Sequence, residues 1–214
     1  LTLFLLTGLL QDLPDATLGA IVIYVLWDVA DFKHFKRYYR VSRTDFTLVI
    51  VSFFSVLIAG VVPGVIIGVL LSLALIVNRV RSPHTALLGR DTEGVRYGDL
   101  SEHPDYEEVP GVIIYRFDAP LIFPNAERLS DEILQLVEES NHALEAVIID
   151  CEMMYEMDTT ATDTLIELAT TLSDIDIDVL LARVHARVHD FISRDTDAIE
   201  AIGEENIFRT VRDA

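Results

Sequence analysis

The chain has 214 residues, enough for one or two domains, with 35 acidic against 16 basic side chains, a formal net charge of −19. A field this acidic repels a phosphate backbone and argues against nucleic acid as a partner. A single cysteine, Cys151, rules out an intrachain disulfide framework.

The averages conceal a division. Residues 1–80 carry five acids and six bases, which leaves 30 of the 35 acids and 10 of the 16 bases for residues 81–214. The first part reads as lipid-embedded and the second as an acidic, water-facing domain. Both lysines, Lys33 and Lys36, lie in the first part, and the second uses only arginine. Such a surface repels itself unless salt screens it. Adaptation to a salt-rich cytoplasm, of the kind haloarchaea maintain, is the preferred explanation.

In chain order, Leu1 to Leu10 (LTLFLLTGLL) reads as the end of a membrane helix, closed by Gln11, Asp12, Pro14 and Asp15. The chain begins inside this run without a methionine or signal peptide, so it reads as the tail of something longer. Ala16 to Trp27 is a second apolar run. Lys33, Lys36, Arg37, Arg40 and Arg43 follow, and this density of positive charge places the loop on the cytoplasmic side. Phe46 to Val77 then contains no charged residue over 32 positions, where one span needs about 20. Breaks at Gly60 and at Pro63-Gly64 predict a hairpin of two helices, 46–59 and 62–78, with basic Arg79 and Arg81 returning it to the cytoplasmic face. Gly64, Gly68 and Ser72 recur at the interval that lets helices approach closely in lipid. No charged residue lies inside an apolar span, so this portion offers no anion-binding residue.

Residues 81–110 read as a linker arm, with a short strand near Val95 to Tyr97. Val112 to Phe117 predicts a strand, Leu121 to Phe123 a second short one, and Asn125 an N-cap for a helix to about Ser140 with Leu129, Ile133, Leu136 and Val137 inward. Ala146 to Ile149 is a buried strand ended by Asp150. A polar, methionine-bearing loop leads to Asp158-Thr159-Thr160-Ala161, all but the last good capping types, and to a helix with Ala161, Leu165, Leu168, Ala169 and Leu172 on one face. Ile177 to Ala182 is a further strand, and Ala186–Arg194 and Thr196–Ile202 are short helices, the second stopped by Gly203. Strands alternating with helices imply a mostly parallel sheet packed against helices.

Strand, loop and hydroxyl-tipped helix together resemble the core of the STAS domain, shared by anti-sigma-factor antagonists and the tails of sulfate permease (SulP) anion transporters. The resemblance widens with the basic loop and Arg40-Val41-Ser42-Arg43-Thr44-Asp45-Phe46, the glycine-bearing hairpin, and Tyr115 to Ala126 (YRFDAPLIFPNA), in the family's order over essentially the whole chain. It implies transmembrane α-helices followed by an α/β STAS domain: residues 1–80 the C-terminal part of a transporter domain, 81–110 the arm, 111–214 STAS. It further implies a secondary transporter of inorganic anions such as sulfate or bicarbonate, bound upstream of this portion, in a cell membrane with STAS cytoplasmic and assisting homodimer assembly. The antagonists carry a phosphorylated hydroxyl at the position matching Thr160, which makes Thr160, with Thr159 and Asp158, the regulatory candidate. Glu156, Asp158 and Asp163 oppose a phosphate there, so capping and packing is the preferred role.

Metal, catalytic and cofactor sites are not expected. His185 and His189 stand four apart, a metal spacing, but lack a third ligand and have Arg183 and Arg187 as neighbours. Asp150 and Asp158 are paired carboxylates only in sequence, one ending a strand and one capping a helix. No phosphate loop, nucleophile elbow or zinc motif supports an enzyme. The alternative reading is a membrane-tethered STAS interaction module without transport activity; a soluble antagonist conflicts with the charge-free hairpin.

Overall fold

A computed structural model of the chain describes residues 15–29, 37, 39–140 and 142–214. The expected segment Leu1–Leu10, its turn at Gln11 to Pro14, and Lys33, His34, Lys36 and Tyr38 of the basic loop lie outside the described residues. The chain divides into two compact units, Leu1–Leu73 and Ala74–Ala214.

Helix α1 spans Asp15–Val29. Helix α2 spans Arg43–Ala59, three residues earlier than expected, because the Ser42 hydroxyl accepts from the Asp45 N–H at 3.2 Å and caps its first turn. Thr47 and Ser55 donate back to the Arg43 and Val51 carbonyls, so their hydroxyls need no outside partner. Helix α3 spans Val61–Arg81 and is the one helix among the described residues long and apolar enough to cross a membrane. The chain breaks only at Gly60, whose φ of 89° favours glycine. Pro63 was expected to add a second break. It falls in the first turn of α3, where a missing N–H costs nothing, so the helix runs through it. A Cβ on Gly64 would lie 2.3 Å from the Val56 Cα, and one on Gly68 would lie 3.0 Å from the Ser52 Oγ. These two glycines therefore set the contact between α2 and α3; Ser72 is half-buried. Val61 and Val62, about 70% exposed, and Ile58, 82% exposed, leave an apolar exterior in this unit.

The second unit is built on a six-stranded sheet. Its strands are β1 (Thr85–Arg90), β2 (Tyr97–Asp99), β3 (Val112–Phe117), β4 (Ala146–Asp150), β5 (Asp178–Ala182) and β6 (Ile207–Phe208), in the order β2-β1-β3-β4-β5-β6. The pairings from β3 to β6 are parallel, and β1 is antiparallel to both its neighbours. Residues 81–110, expected as an arm, thus supply two strands, and Arg90 bridges Glu107 in the same sheet. The short strand foreseen at Val95 lies slightly later, at Tyr97. Leu121–Phe123, foreseen as a strand, is reduced to one bridge between Leu121 and Met157, because Pro120 and Pro124 flank it and lack the N–H a ladder needs.

Four helices complete the unit: α4 (Ala126–Glu139), α5 (Thr159–Ser173), α6 (Ala186–Ile192) and α7 (Thr196–Ile202). Ala126, Leu129 and Ile133 of α4 and Ala161, Leu165, Leu168, Ala169 and Leu172 of α5 are buried against Ile113, Tyr115, Val147, Ile149, Val179 and Leu181 of the sheet. The opposite sheet face is thinner, with Ala86, Leu88, Ile114, Ile148 and Ala182 beneath Val211. The alternation of β4 and β5 residues between two buried faces accounts for their continuous apolar runs.

Asn125 departs from its expected role. It precedes α4, but its side chain makes no capping hydrogen bond. It is 1% exposed, its Nδ2 donates to the Val80 and Pro120 carbonyls at 3.2 and 3.0 Å, and its Oδ1 accepts from the Ile122 N–H at 2.9 Å. Val80 lies in the last turn of α3, where carbonyls have no helical partner, and the Asn125 amide supplies one. Asn125→Ala strands three backbone groups and is expected to cost about 2 kcal/mol. The midpoint of urea unfolding checks this; an unchanged midpoint would mean that water replaces the amide.

Candidate functional site

In open parallel sheets, ligands and partners meet the carboxyl ends of the strands. Here β4 ends in Asp150, fully buried at 0% exposure. Arg183, immediately after β5, answers it: Nε donates to Oδ1 at 2.8 Å and Nη2 to Oδ2. The pair is bidentate, a geometry only the guanidinium fork supplies. Nη1 of the same group reaches Glu152 at 2.6 Å. Arg183 adopts φ 57°, a left-handed conformation costly for a side-chain-bearing residue, and its N–H donates to the Phe208 carbonyl. Asp150 was expected only to end its strand, and Arg183 was noticed only as a neighbour of the histidines. The two lie 33 positions apart, and no period or motif links them.

The loop from Cys151 to Met157 is held from several directions. The Cys151 N–H donates to the Ala182 carbonyl, and the His185 ring lies 2.6 Å from the Glu152 carbonyl. Met154 and Met157 are buried while Met153 and Tyr155 are exposed. The Leu121 N–H donates to the Glu156 carbonyl. Asp158 then joins two elements with one carboxylate: Oδ1 accepts from Ala161 N–H at 2.9 Å, capping α5, and Oδ2 accepts from Phe123 N–H at 2.8 Å. Thr159 and Thr160 follow in the first turn of α5, both exposed. The Thr162 hydroxyl is the one turned inward, donating to the Asp158 carbonyl at 3.1 Å.

The remaining candidates separate. His189 approaches the Ser193 hydroxyl, whereas His185 approaches the Glu152 carbonyl, so the two imidazoles serve different contacts. Cys151 is buried, and desolvation with the nearby Asp150 charge pushes its thiol well above the usual range, which leaves it an unreactive core residue. Asp150 and Asp158 are each committed to structural partners. Outside this edge, the Tyr115 hydroxyl and the Thr85 hydroxyl both donate to Glu132 Oε2, and Arg128 pairs with the other oxygen at 2.7 Å. Burial and the Glu132 contact hold the Tyr115 phenol protonated far above its ordinary range. Among the described residues, the arrangement presents an exposed helix start on a hydrogen-bonded base, with no acid–base pair aimed at a common point.

Residues 103–214 match the family model of the STAS domain, and residues 1–52 match that of the sulfate permease family. A probable sulfate transporter of Mycobacterium tuberculosis is 34% identical over 205 residues, covering 96% of this chain and 36% of the relative. High affinity sulfate transporter 2 of Stylosanthes hamata is 29% identical over 222 residues, covering the whole chain and 33% of the relative. The chain thus spans about a third of the length of these relatives. The murine Solute Carrier 26 family member A9 anion transporter, in its inward-facing state, superposes with a TM-score of 0.77 at 23% identity over 94% of this chain and 33% of that one. That likeness establishes the fold.

Proposed function

We propose that the chain, which belongs to the STAS domain family over residues 103–214 and matches the sulfate permease family over residues 1–52, is the C-terminal portion of a sulfate permease-type secondary transporter of inorganic anions, sulfate or bicarbonate among them. The observation that carries the reading is order: a sulfate permease match at 1–52, an apolar helical hairpin, and a STAS match at 103–214 follow one another as they do along relatives named sulfate transporters. The anion would bind in the part of the protein upstream of this portion, since residues 46–77 carry no charge. The basic flanks Arg40, Arg43, Arg79 and Arg81 support a multi-pass protein with STAS on the cytoplasmic side. STAS would assist dimer assembly and regulation, with Thr159 and Thr160 at the exposed start of α5 as the point where a modifying group could be received. No cofactor or metal enters the proposal, and nothing in the site supports catalysis.

The test is uptake of radiolabelled anions by the full-length protein in vesicles, in high salt. Sulfate or bicarbonate uptake that falls several-fold on truncation after Arg81 supports the proposal. A protein that inserts and assembles but moves neither anion overturns it and favours the tether reading.

Salt is expected to matter for the fold as well. Raising ionic strength from about 0.1 to 1 M shortens the screening length from about 10 to 3 Å. With 30 acids against 10 bases beyond residue 80, the thermal midpoint of the second unit should rise by at least ~5 °C. A flat or falling midpoint, followed by circular dichroism in potassium chloride, would refute the salt-adaptation reading.

A further inference from the structure

Among the described residues of the second unit, seven large apolar side chains are exposed: Ile76 and Val77 near the end of α3, and Val95, Phe123, Met153, Tyr155 and Ile175 beyond it. Three of them share one place. Phe123 (70% exposed), Met153 (46%) and Tyr155 (54%) lie on the two loops that meet at the start of α5, joined by the Leu121–Met157 bridge, the Leu121 to Glu156 hydrogen bond and the Asp158 contact to the Phe123 N–H. In a domain whose surface is otherwise dominated by carboxylates, two exposed ring-bearing residues and a methionine on adjoining loops mark a contact surface.

We propose that Phe123, Met153 and Tyr155 rest in the interfacial layer of the bilayer, and so form a lipid contact of the STAS domain itself. The inference rests on the reading of α3 as a membrane span. Its position follows from contacts inside the second unit. Asn125 holds the Val80 carbonyl, and Phe123 is two residues before Asn125, at most about 7 Å of chain. Val77, the last exposed apolar residue of α3, precedes Val80 by one turn, roughly 5 Å of rise. Those lengths are comparable to a headgroup layer, which adds about 5–8 Å to each side of the hydrocarbon core. Aromatic side chains favour that depth. Beside the patch Glu152 shares Arg183 with Asp150, Glu156 lies 3.6 Å from Arg187, and Asp158 accepts from two backbone N–H groups, so the contact there is one of apolar side chains, while Arg79 and Arg81 in the last turn of α3 suit anionic headgroups.

Nitroxide labels placed singly by Phe123→Cys, Tyr155→Cys, Ile175→Cys and Leu70→Cys, in the full chain in vesicles of neutral and anionic phosphatidyl lipids, test this through collision with oxygen and with a water-soluble nickel chelate. Cys151 is buried, so the unsubstituted chain serves as the labelling blank. The ratio of oxygen to nickel access at 123 and 155 is expected to exceed that at 175 several-fold and to indicate a depth shallower than at 70. Nickel access at 123 and 155 equal to that at 175, with residue 70 in lipid, overturns the proposal while leaving the membrane reading intact. Labels at 123 and 155 shielded from both reagents mean that protein covers the patch, and they overturn it too. A label at 70 that samples water removes the membrane reading and the lipid contact with it.

Discussion

Arg183→Leu is expected to destabilise the second unit by about 3 kcal/mol, read from the urea midpoint. The reasoning is one of unpaired charge. Asp150 is wholly buried, and Arg183 supplies two of the three hydrogen bonds that compensate its removal from water, the third coming from the Glu152 N–H at 3.2 Å. Breaking a buried pair from one side costs about 3–5 kcal/mol, because the surviving charge is left without a partner. The half-exposed guanidinium lets some water reach the carboxylate, so the lower end applies. Two companions separate the causes. Arg183→Gly removes the same guanidinium but relieves the left-handed backbone by about 1 kcal/mol, so it should lose less than leucine does. Asp150→Asn combined with Arg183→Leu removes the orphaned charge and should recover part of the loss. A leucine variant within about 1 kcal/mol of the parent would refute the account.

Gly64→Leu is expected to separate α2 from α3, at a cost above about 3 kcal/mol. Overpacking ordinarily costs about 1–3 kcal/mol because neighbouring side chains can shift. Here the nearest atoms to an added Cβ are the Val56 Cα and N, at 2.3 and 2.5 Å, and backbone cannot rotate aside. A paired-cysteine assay reports the separation directly. A Cβ at Gly68 would lie 3.4 Å from the Ser52 Cβ, so Ser52→Cys with Gly68→Cys should crosslink under mild oxidation. Adding Gly64→Leu should abolish the crosslink. Retention of full crosslinking would show that the helices do not depend on this glycine.

These two sites illustrate what could be read from sequence. Gly64 was legible because spacing by four is a periodic signal, and the β4–α5 segment because an apolar β-branched run gives way to a helical stripe capped by Asp158. Arg183 was illegible for the opposite reason: its partner is set by two strands lying side by side, a fact of topology. Asn125 was misassigned because a capping residue type stands where caps usually stand, and only the fold brings the Val80 carbonyl to its amide. The strand at Thr85 was not foreseen, and the one at Tyr97 was expected slightly early, because TALLGR and YGD are short and carry glycine, so pairing within the sheet stabilises them more than intrinsic preference does.

The inward position of β1 has a practical consequence. The first strand after α3 is an interior strand, with β2 on one side and β3 on the other. Any excised fragment that starts at 103 or 111 would lose it, baring the β3 backbone as an open ladder ready to pair with another molecule. A soluble fragment for crystallisation or binding work should therefore begin at or before His84, whose ring meets Asp118, and shorter versions should precipitate as edge-paired aggregates.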